Sequence, residues 1–252
     1  IFLKEIISDK DIIFHAISTI QPGNSNQKYM SGYNRDMIES IRLFSYLLGT
    51  KKKLIFLSSG GTVYGNQKIQ PIKEDVMALP INHYGNVKLC IENTMRVFNT
   101  QMHSKMLIAR ISNPYGPGQD FNKGVGFIDA AIKKAMLGDV LEIWGNGDTV
   151  RDYIYIDDVC EMLYSLIDYS GEEEVFNISS GIGTSQNDII NIVEDKIRKI
   201  NIIYKDRRSV DVNKIILDNS KISNVCDIKL ISLENGIEKT IDHLKKYQNI
   251  WK

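Results

Sequence analysis

A tyrosine and a lysine four residues apart can together form a base, and this spacing occurs twice in the chain. Tyr64 and Lys68 stand beside Gly65 in a segment with loop composition, where such spacing does not bring side chains together. Tyr84 and Lys88 lie in a run with helical apolar spacing, so their side chains share one helix face. A lysine ammonium about 4 Å from the phenol supplies about the 4 kcal/mol that brings a tyrosine pKa from about 10 towards 7. The second pair is therefore predicted to accept a proton near neutral pH.

Hydroxyl groups that could act beside this tyrosine follow the apolar residues 54–57. Ser58, Ser59 and Thr62 belong to a turn that also contains two glycines. Glycine in such a turn permits close approach of a ligand to the backbone. The turn is therefore a candidate ligand-binding segment.

Arginines later in the chain could bind phosphate, because the planar guanidinium forms paired hydrogen bonds with phosphate oxygens. They occur with other polar and glycine residues in the segments 110–118, 144–153 and 208–211. A single surface arginine usually serves only as an ion-pair partner. The order of these segments along the chain therefore carries more weight than any one of them.

The elements that must position these residues read as strands alternating with helices. Strands are predicted at 12–17, 54–57 and 106–109, and helices at 30–48 and about 82–100. Apolar strands that alternate with helices are typical of a parallel sheet covered on both faces. Ligands bind at the carboxyl ends of such strands, where the serine turn and the segment 110–118 fall. Shorter elements beyond residue 170 predict a smaller second lobe.

Composition excludes several classes of protein. The 252 residues are 43% hydrophobic and 25% charged, with 31 basic and 31 acidic residues, as in a globular protein. Zero net charge argues against a general nucleic-acid binder, and no apolar run is long enough to span a bilayer. Three isolated cysteines favour a reducing, cytoplasmic compartment, and the four histidines lack the spacing of a zinc site. We expect neither nucleic-acid nor membrane partners and no metal.

Taken in order, the motifs resemble those of the extended short-chain dehydrogenases/reductases, most closely the nucleotide-sugar epimerases of the UDP-glucose 4-epimerase type. They are Ser-Ser-Gly-Gly-Thr-Val-Tyr-Gly, Tyr84 with Lys88, Arg110 to Asn113-Pro-Tyr-Gly-Pro, Gly-Asn-Gly before Arg151-Asp-Tyr, and Arg208 with Asp211. The resemblance implies an α/β fold, with a Rossmann-like doubly wound parallel sheet that binds NAD over residues 1–112 and about 148–170. A smaller C-terminal α/β lobe over about 113–147 and 171–252 would bind a UDP-hexose.

The resemblance also implies roles for the matching residues. Tyr84 would remove the proton of the sugar 4-hydroxyl while hydride passes to NAD, and Lys88 would lower the pKa of Tyr84 and hold the nicotinamide ribose. The 4-keto sugar would then turn over and take the hydride back on its other face. Further cofactor contacts would come from His15, Ala16, Asn34 and Ser58, and nucleotide contacts from Asn113, Arg151, Tyr153, Arg208 and Asp211.

One departure from the family pattern concerns the catalytic hydroxyl. The position of the family's serine or threonine falls on Gly60, so the hydroxyl must come from Ser59 or Thr62, and we favour the adjacent Ser59. Relatives that are 4,6-dehydratases carry an Asp-Glu pair in this turn, where this chain has Gly61 and Thr62. That difference disfavours a dehydratase.

A second departure concerns the cofactor. The chain contains neither GxGxxG nor GxxGxxG, the glycine motif that places the pyrophosphate of NAD at a helix N-terminus. In the family this motif lies in an opening βαβ unit, which would precede Ile1. The helices at 30–48 and about 84–100 match those that pair between subunits in the family, so we expect a homodimer with a four-helix contact.

Three functions follow as hypotheses. The first is NAD-dependent 4-epimerisation of a UDP-hexose, in the synthesis of a surface polysaccharide. The second is a nucleotide-sugar dehydratase or reductase of the same fold. The third is a catalytically silent nucleotide-binding or scaffold protein, which the missing glycine motif and Gly60 favour. The third hypothesis is disfavoured because the chain retains a set of matching residues, Tyr84, Lys88, Asn113, Arg151 and Arg208.

Overall fold

The computed structural model describes residues 2–119, 126–206 and 212–246 as strands that alternate with helices. The strands are β1 (Ile12–His15), β2 (Lys53–Ser59), β3 (Leu107–Ile111), β4 (Asn113–Tyr115), β5 (Val140–Trp144), β6 (Val150–Tyr155), β7 (Val175–Ile178), β8 (Gly183–Ser185), β9 (Asn201–Lys205) and β10 (Lys214–Ile215). The α-helices are α1 (Phe2–Ile7), α2 (Ser25–Ser31), α3 (Ile38–Leu47), α4 (Gly60–Val63), α5 (His83–Met102), α6 (Phe127–Leu137), α7 (Ile156–Ser165), α8 (Gln186–Lys196), α9 (Ser220–Ser223) and α10 (Leu233–Lys246). A π-helix, Gly32–Met37, joins α2 to α3.

A parallel sheet with the strand order β1-β2-β3-β7 forms the centre of the first lobe. Alternate residues of β2 point to opposite faces, as they must in a strand. Leu54 and Phe56 join the core beneath α3 and α5, whereas Ile55 and Leu57 join the core beneath α7. Both faces are therefore covered, and the predicted Rossmann-like, doubly wound parallel sheet is confirmed.

Two smaller sheets belong to the second lobe. Strand β6 pairs with β4, β10 and β8, and β5 pairs in parallel with β9. Helices α6, α8 and α10 supply Ile132, Ile189 and Ile237 to a separate apolar core beside them. This second lobe corresponds to the smaller α/β lobe that the sequence predicts.

Strand membership departs from the predicted division of the chain at two places. Strand β7 belongs to the first sheet, although residues 171–252 were assigned to the substrate lobe. Strand β6 pairs only within the second lobe among the described residues, although 148–170 was assigned to the NAD-binding part. Pairing between distant strands decides this membership, and composition does not encode it.

The predicted elements appear with shifted ends. The strand at 12–17 ends at His15, so Ala16 lies beyond it and is exposed. The helix at 30–48 is divided into the end of α2, the π-helix and α3. None of the helices in the described part of the chain combines the length and the apolar composition of a membrane span.

Candidate active site

The helix α5 carries Tyr84 into a cleft formed where β2 and β3 end. Asn82 caps the helix, with its side-chain oxygen accepting the backbone N–H of Gly85 at 2.8 Å. Gly85 packs so closely on α4 that a Cβ there would lie 2.7 Å from the carbonyl oxygen of Thr62. The first turn of α5 is therefore held against the serine turn by a cap on one side and a backbone contact on the other.

Tyr84 and Ser59 face each other across this contact. Burial raises the pKa of the Tyr84 phenol, while the hydrogen-bonding side chain of Ser59 acts in the opposite direction. We expected Lys88 to bring this pKa down. The structure differs, because desolvation outweighs the other influences on the phenol and disfavours the phenolate.

Lys88 is buried one helical turn behind Tyr84. Its Nζ donates to the carbonyl oxygen of Leu57 at 3.0 Å and lies 4.7 Å from the ring centroid of Phe56 and 5.7 Å from that of Tyr84. Burial lowers the pKa of Lys88 to about 8, and the charges of Asp36 and Glu92 oppose this. An ammonium has three donors, and Leu57 takes only one of them among the described residues. The other two are available to a ligand.

The two candidate hydroxyls differ in what they contact. Ser59 adjoins Tyr84, whereas the Thr62 hydroxyl donates to the carbonyl oxygen of Ser59 at 3.4 Å. Gly60 is closely packed: a Cβ there would lie 2.3 Å from Cδ1 of Leu217 and 3.1 Å from the carbonyl oxygen of Arg110, so a side chain would require both neighbours to shift.

The residues predicted to contact the cofactor differ in how far they are buried. His15 is buried, and its Nε2 contacts the Ser40 hydroxyl at 2.7 Å; since that hydroxyl donates to a carbonyl, Nε2–H is the donor. Burial, followed by the charge of Lys88, lowers the pKa of His15 to about 4. The Ser58 hydroxyl donates inward to Glu92 at 2.5 Å, and Ser58 lines neither of the cavities described below. Ala16 and Asn34 are exposed.

Two adjoining cavities open in front of Tyr84. One has a volume of about 920 Å³ and is lined by Tyr84, Ser59 and Thr62; the other, of about 750 Å³, is lined by Tyr153. Asn113 and Arg151 line both. The first cavity therefore combines hydroxyl groups with the Arg151 guanidinium, and the second combines the same guanidinium with the Tyr153 ring.

Strand pairing brings the second-lobe residues to this place. Asn113 lies opposite Tyr153 in the β4–β6 pair, and its side-chain amide donates to the carbonyl oxygen of Asp152 at 3.0 Å. Burial raises the pKa of Tyr153 to about 12, with Arg151 opposing the shift, so the phenol stays neutral. Arg208 and Asp211, predicted to complete the nucleotide end, lie outside the described residues.

The other Tyr-Lys pair does not form a site. Tyr64 is fully buried and donates to the side chain of Asn177 at 2.7 Å, while Lys68 is exposed. Burial raises the pKa of Tyr64 to about 12. The loop spacing separates the two side chains, in agreement with the sequence argument.

A buried polar cluster beside the site was not predicted. Glu92 pairs with Arg110 at 2.6 Å, and Arg110 in turn lies over the Tyr64 ring, 4.7 Å from its centroid. One signal was present in the sequence, since Glu92 follows Lys88 by four residues and so continues the Tyr84–Lys88 helix face. The role of its partner on β3 could not be read from the chain.

Comparisons with known proteins agree with this architecture. The model of the NAD dependent epimerase/dehydratase family matches residues 2–179. A dTDP-4-dehydro-6-deoxyglucose reductase of Escherichia coli is 32% identical over 248 residues, covering 96% of this chain and 78% of the relative. A putative UDP-glucose 4-epimerase of Methanocaldococcus jannaschii is 28% identical over 247 residues, covering 96% and 80%.

A solved structure gives the same result at the level of the fold. The UDP-glucose 4-epimerase of Thermotoga maritima, determined with UDP-glucose, superposes with a TM-score of 0.91 at 30% identity, covering 98% of this chain and 82% of that one. The family model extends from the first helix through β7, and so includes the whole sheet and the Tyr84–Lys88 pair. The chain therefore belongs to the NAD-dependent epimerase/dehydratase family of extended short-chain dehydrogenases/reductases.

Proposed function

We propose that the protein epimerises C4 of a nucleotide-activated hexose of the UDP-glucose/UDP-galactose type, through a 4-keto intermediate. The observation that carries the proposal is the placement of Ser59 beside Tyr84, with Lys88 one turn behind, at the mouth of a cavity that also reaches Arg151. The residue proposed as proton acceptor and a guanidinium suited to phosphate thus line the same cavity.

The family is NAD-dependent, and the residues of this chain fit the nicotinamide ribose. The two ammonium donors of Lys88 that Leu57 does not use suit ribose hydroxyls, and His15 and Ser58 lie at the ends of the neighbouring strands. When bound, NAD supplies the hydride acceptor and donor for C4. The sequence contains no GxGxxG or GxxGxxG, the glycine motif that places the pyrophosphate in the family.

The chain's own residues would handle the proton and the orientation of the sugar. Tyr84 takes the proton of the 4-hydroxyl, and Ser59 holds the same oxygen by a hydrogen bond. The charge of Lys88 favours the phenolate but does not offset the effect of burial. Because burial raises the pKa of Tyr84, the phenolate is a scarce but strong base. After the keto sugar has rotated, return of the hydride to C4 and of the proton to the oxygen would complete the cycle without net consumption of cofactor.

Substrate binding would rely on the second lobe. We propose that Asn113 and Arg151 contact the diphosphate and that Tyr153 lies at the nucleotide end, because all three line the cavity of about 750 Å³. Arg208 and Asp211 are proposed for the same end on the basis of the family pattern alone. Recognition by a guanidinium makes binding dependent on the charge of the diphosphate.

A second candidate is the reduction of a 4-keto nucleotide sugar. The 32% identity with the Escherichia coli dTDP-4-dehydro-6-deoxyglucose reductase favours it. The same tyrosine would then donate a proton to the keto oxygen, and one equivalent of reduced cofactor would be consumed in each turnover. Net change in the redox state of the cofactor separates the two reactions.

The test is Tyr84→Phe, assayed for interconversion of UDP-glucose and UDP-galactose with NAD present. We expect the rate to fall by about 10³-fold, the usual range for loss of an acid–base group. Tyr164→Phe, at an exposed position on α7, is the control and should keep the wild-type rate.

An unchanged rate in Tyr84→Phe would exclude Tyr84 as the base. Stoichiometric loss of reduced cofactor with a 4-keto sugar would identify a reductase. Binding of UDP without turnover in the wild type would identify a silent nucleotide-binding protein.

A further inference from the structure

A buried carboxylate joins the helix of the proposed active site to the ends of two strands. Glu92, on α5, is fully buried and accepts the Ser58 hydroxyl at 2.5 Å. It also accepts the Arg110 guanidinium, from Nη2 at 2.6 Å and from Nε at 3.1 Å and 3.2 Å. Ser58 and Arg110 are register partners on β2 and β3, so a single side chain of α5 binds both strands at the same level.

Three residues of α5, one per turn, contact three consecutive residues at the end of β2. Lys88 Nζ donates to the carbonyl oxygen of Leu57, Glu92 accepts from Ser58, and Tyr84 adjoins Ser59. The Glu92 contact is the central one along the strand. A shift of Ser58 relative to α5 would therefore move Ser59 relative to Tyr84.

We propose that Glu92 is a positioning residue of the site: through Ser58 it fixes the position of Ser59 relative to Tyr84, and its charge keeps Lys88 protonated. The proposal rests on the proposed function for Tyr84 and Ser59. Glu92 itself does not contact the cavity and acts only through its neighbours.

Stability alone does not account for this cluster. Removing two charges from water offsets much of the attraction between them, and apolar residues of similar size often replace a buried ion pair without loss. An apolar pair could neither bind the Ser58 hydroxyl nor offset the burial of an ammonium. Those two properties belong to the carboxylate.

The charged groups around Lys88 are few and can be named. Among the described residues, His15 faces it from β1, Asp36 from the π-helix, and Tyr84 and Glu92 from α5 itself. Strand β2 contributes uncharged groups, the carbonyl oxygen of Leu57 and the ring of Phe56. His15 is neutral because its pKa is lowered to about 4. Asp36 already accepts Ser18 and the Thr19 backbone N–H. Glu92 is thus one of two negative groups that oppose the lowering of the Lys88 pKa.

Two variants separate the positioning and the charge. Ser58→Ala removes the link to the strand and leaves the Glu92–Arg110 pair intact. Glu92→Gln keeps the size of the side chain and removes its charge. Asn99→Ala is the matched control, because Asn99 is also a buried polar residue on α5, bonded to the Met106 backbone at 2.9 Å and 3.0 Å, and it is remote from Ser58 and Lys88.

The titration of Lys88 is read by NMR of 13C-labelled lysine, assigned with Lys88→Met, and requires no turnover. Glu92→Gln should lower the Lys88 pKa by on the order of one unit, because a stabilising negative charge is lost. The alkaline limb of kcat against pH should move to lower pH in the same variant. Asn99→Ala should lower the unfolding temperature and leave both readouts unchanged.

Ser58→Ala should lower kcat by on the order of tenfold, because a small misplacement of reacting groups strongly lowers the reaction rate. It should leave the Lys88 pKa and UDP binding unchanged, since no charge is removed. An unchanged Lys88 pKa in Glu92→Gln or a wild-type kcat in Ser58→Ala would overturn the corresponding half of the proposal.

The failure of this inference and the failure of the proposed function are distinguishable. A wild-type protein without epimerase activity would refute the function, while the Lys88 titration would still decide the effect of the charge. If Glu92→Gln does not fold, Ser58→Ala still decides the positioning half: a wild-type kcat overturns it, and a selective loss of kcat supports it.

Discussion

At the scale of single residues, Tyr84 is subject to two opposing influences. Burial raises the pKa of the phenol and so makes the phenolate rare, while the hydrogen-bonding neighbour Ser59 favours it. Lys88 lies 5.7 Å from the ring centroid, and burial lowers its own pKa to about 8. Small electrostatic changes around this pair should therefore have large effects on the proton-transfer step.

The choice between the two hydroxyls can be tested directly. Ser59→Ala should lower kcat by about 10²-fold or more, because a hydrogen bond to the reacting oxygen is lost. Thr62→Ala should have a small effect, since its hydroxyl donates to the carbonyl oxygen of Ser59 at 3.4 Å. Steady-state rates of the two variants, with unfolding temperatures as the control for folding, decide the matter. The reverse order of effects would assign the role to Thr62.

Asp129 gives a prediction on stability against pH. Burial raises the pKa of this carboxyl from 3.8 to about 7, and neither oxygen has a hydrogen-bond partner among the described residues. Between these two values the folded state holds the proton more strongly than the unfolded state, so stability falls as pH rises through the window. The loss amounts to at most about 4 kcal/mol above pH 7.

Asp129→Asn should remove this loss and be more stable than the wild type at pH 8, with little difference at low pH. Urea unfolding at pH 4 and pH 8 measures the effect. Asp139→Asn, at a half-exposed ion pair with Lys134, is the control and should show no such trend. Equal destabilisation of Asp129→Asn at both pH values would contradict the prediction.

At the scale of elements, α5 organises the site by presenting two stripes. Val87, Ile91 and Met95 are buried in the core beneath the sheet. The adjacent stripe of Tyr84, Lys88 and Glu92 faces the end of β2, which is why polar residues recur at intervals of four along a largely buried helix face. The position of the helix along its own axis therefore determines the geometry of the polar groups.

The cap of this helix is the place to test that dependence. Asn82→Ala should lower the free energy of unfolding by about 1 kcal/mol, because the backbone N–H of Gly85 loses its acceptor. Asn82→Asp retains an acceptor and should stay near the wild type. Urea unfolding of the three proteins measures the difference, and an equal loss in both variants would show that the cap contributes nothing.

At the scale of the whole molecule, Asp152 ties the two lobes together. It is fully buried on β6 and accepts hydrogen bonds from Ser112, which follows β3, and from Ser180 and Gly181, which follow β7. The backbone N–H of Leu217 also donates to it. Because its neighbours Arg151 and Tyr153 line the cavity, this junction sets the distance between the two ends of the proposed substrate site.

The predicted homodimer belongs to the same scale. Helices α3 and α5 pack side by side and leave apolar side chains exposed, with Ile38 at 39% and Val97 at 51%. Val97→Glu should shift sedimentation equilibrium from dimer to monomer, because two buried carboxylates would face each other across a symmetric contact. Tyr164→Glu, on α7, is the control. A wild-type monomer, or dimers of equal stability in both variants, would refute the contact.

Local spacing was enough to identify part of this protein. The alternation of apolar strands with helices predicted a parallel sheet covered on both faces. The ordered motifs predicted the family and, with it, the doubly wound sheet; these predictions are confirmed. Helical periodicity alone placed Tyr84 and Lys88 on one face and separated them from the loop pair at Tyr64. Such features depend on neighbours within a few residues, which a sequence displays directly.

Features that depend on distant strands were decided only by the tertiary structure. The Glu92–Arg110 pair joins residues 18 positions apart that meet because β2 and β3 are in register at Ser58. Membership of β7 in the first sheet follows from the same kind of pairing. The direction of the Tyr84 pKa shift also could not be predicted, because desolvation depends on how completely the folded chain encloses the phenol.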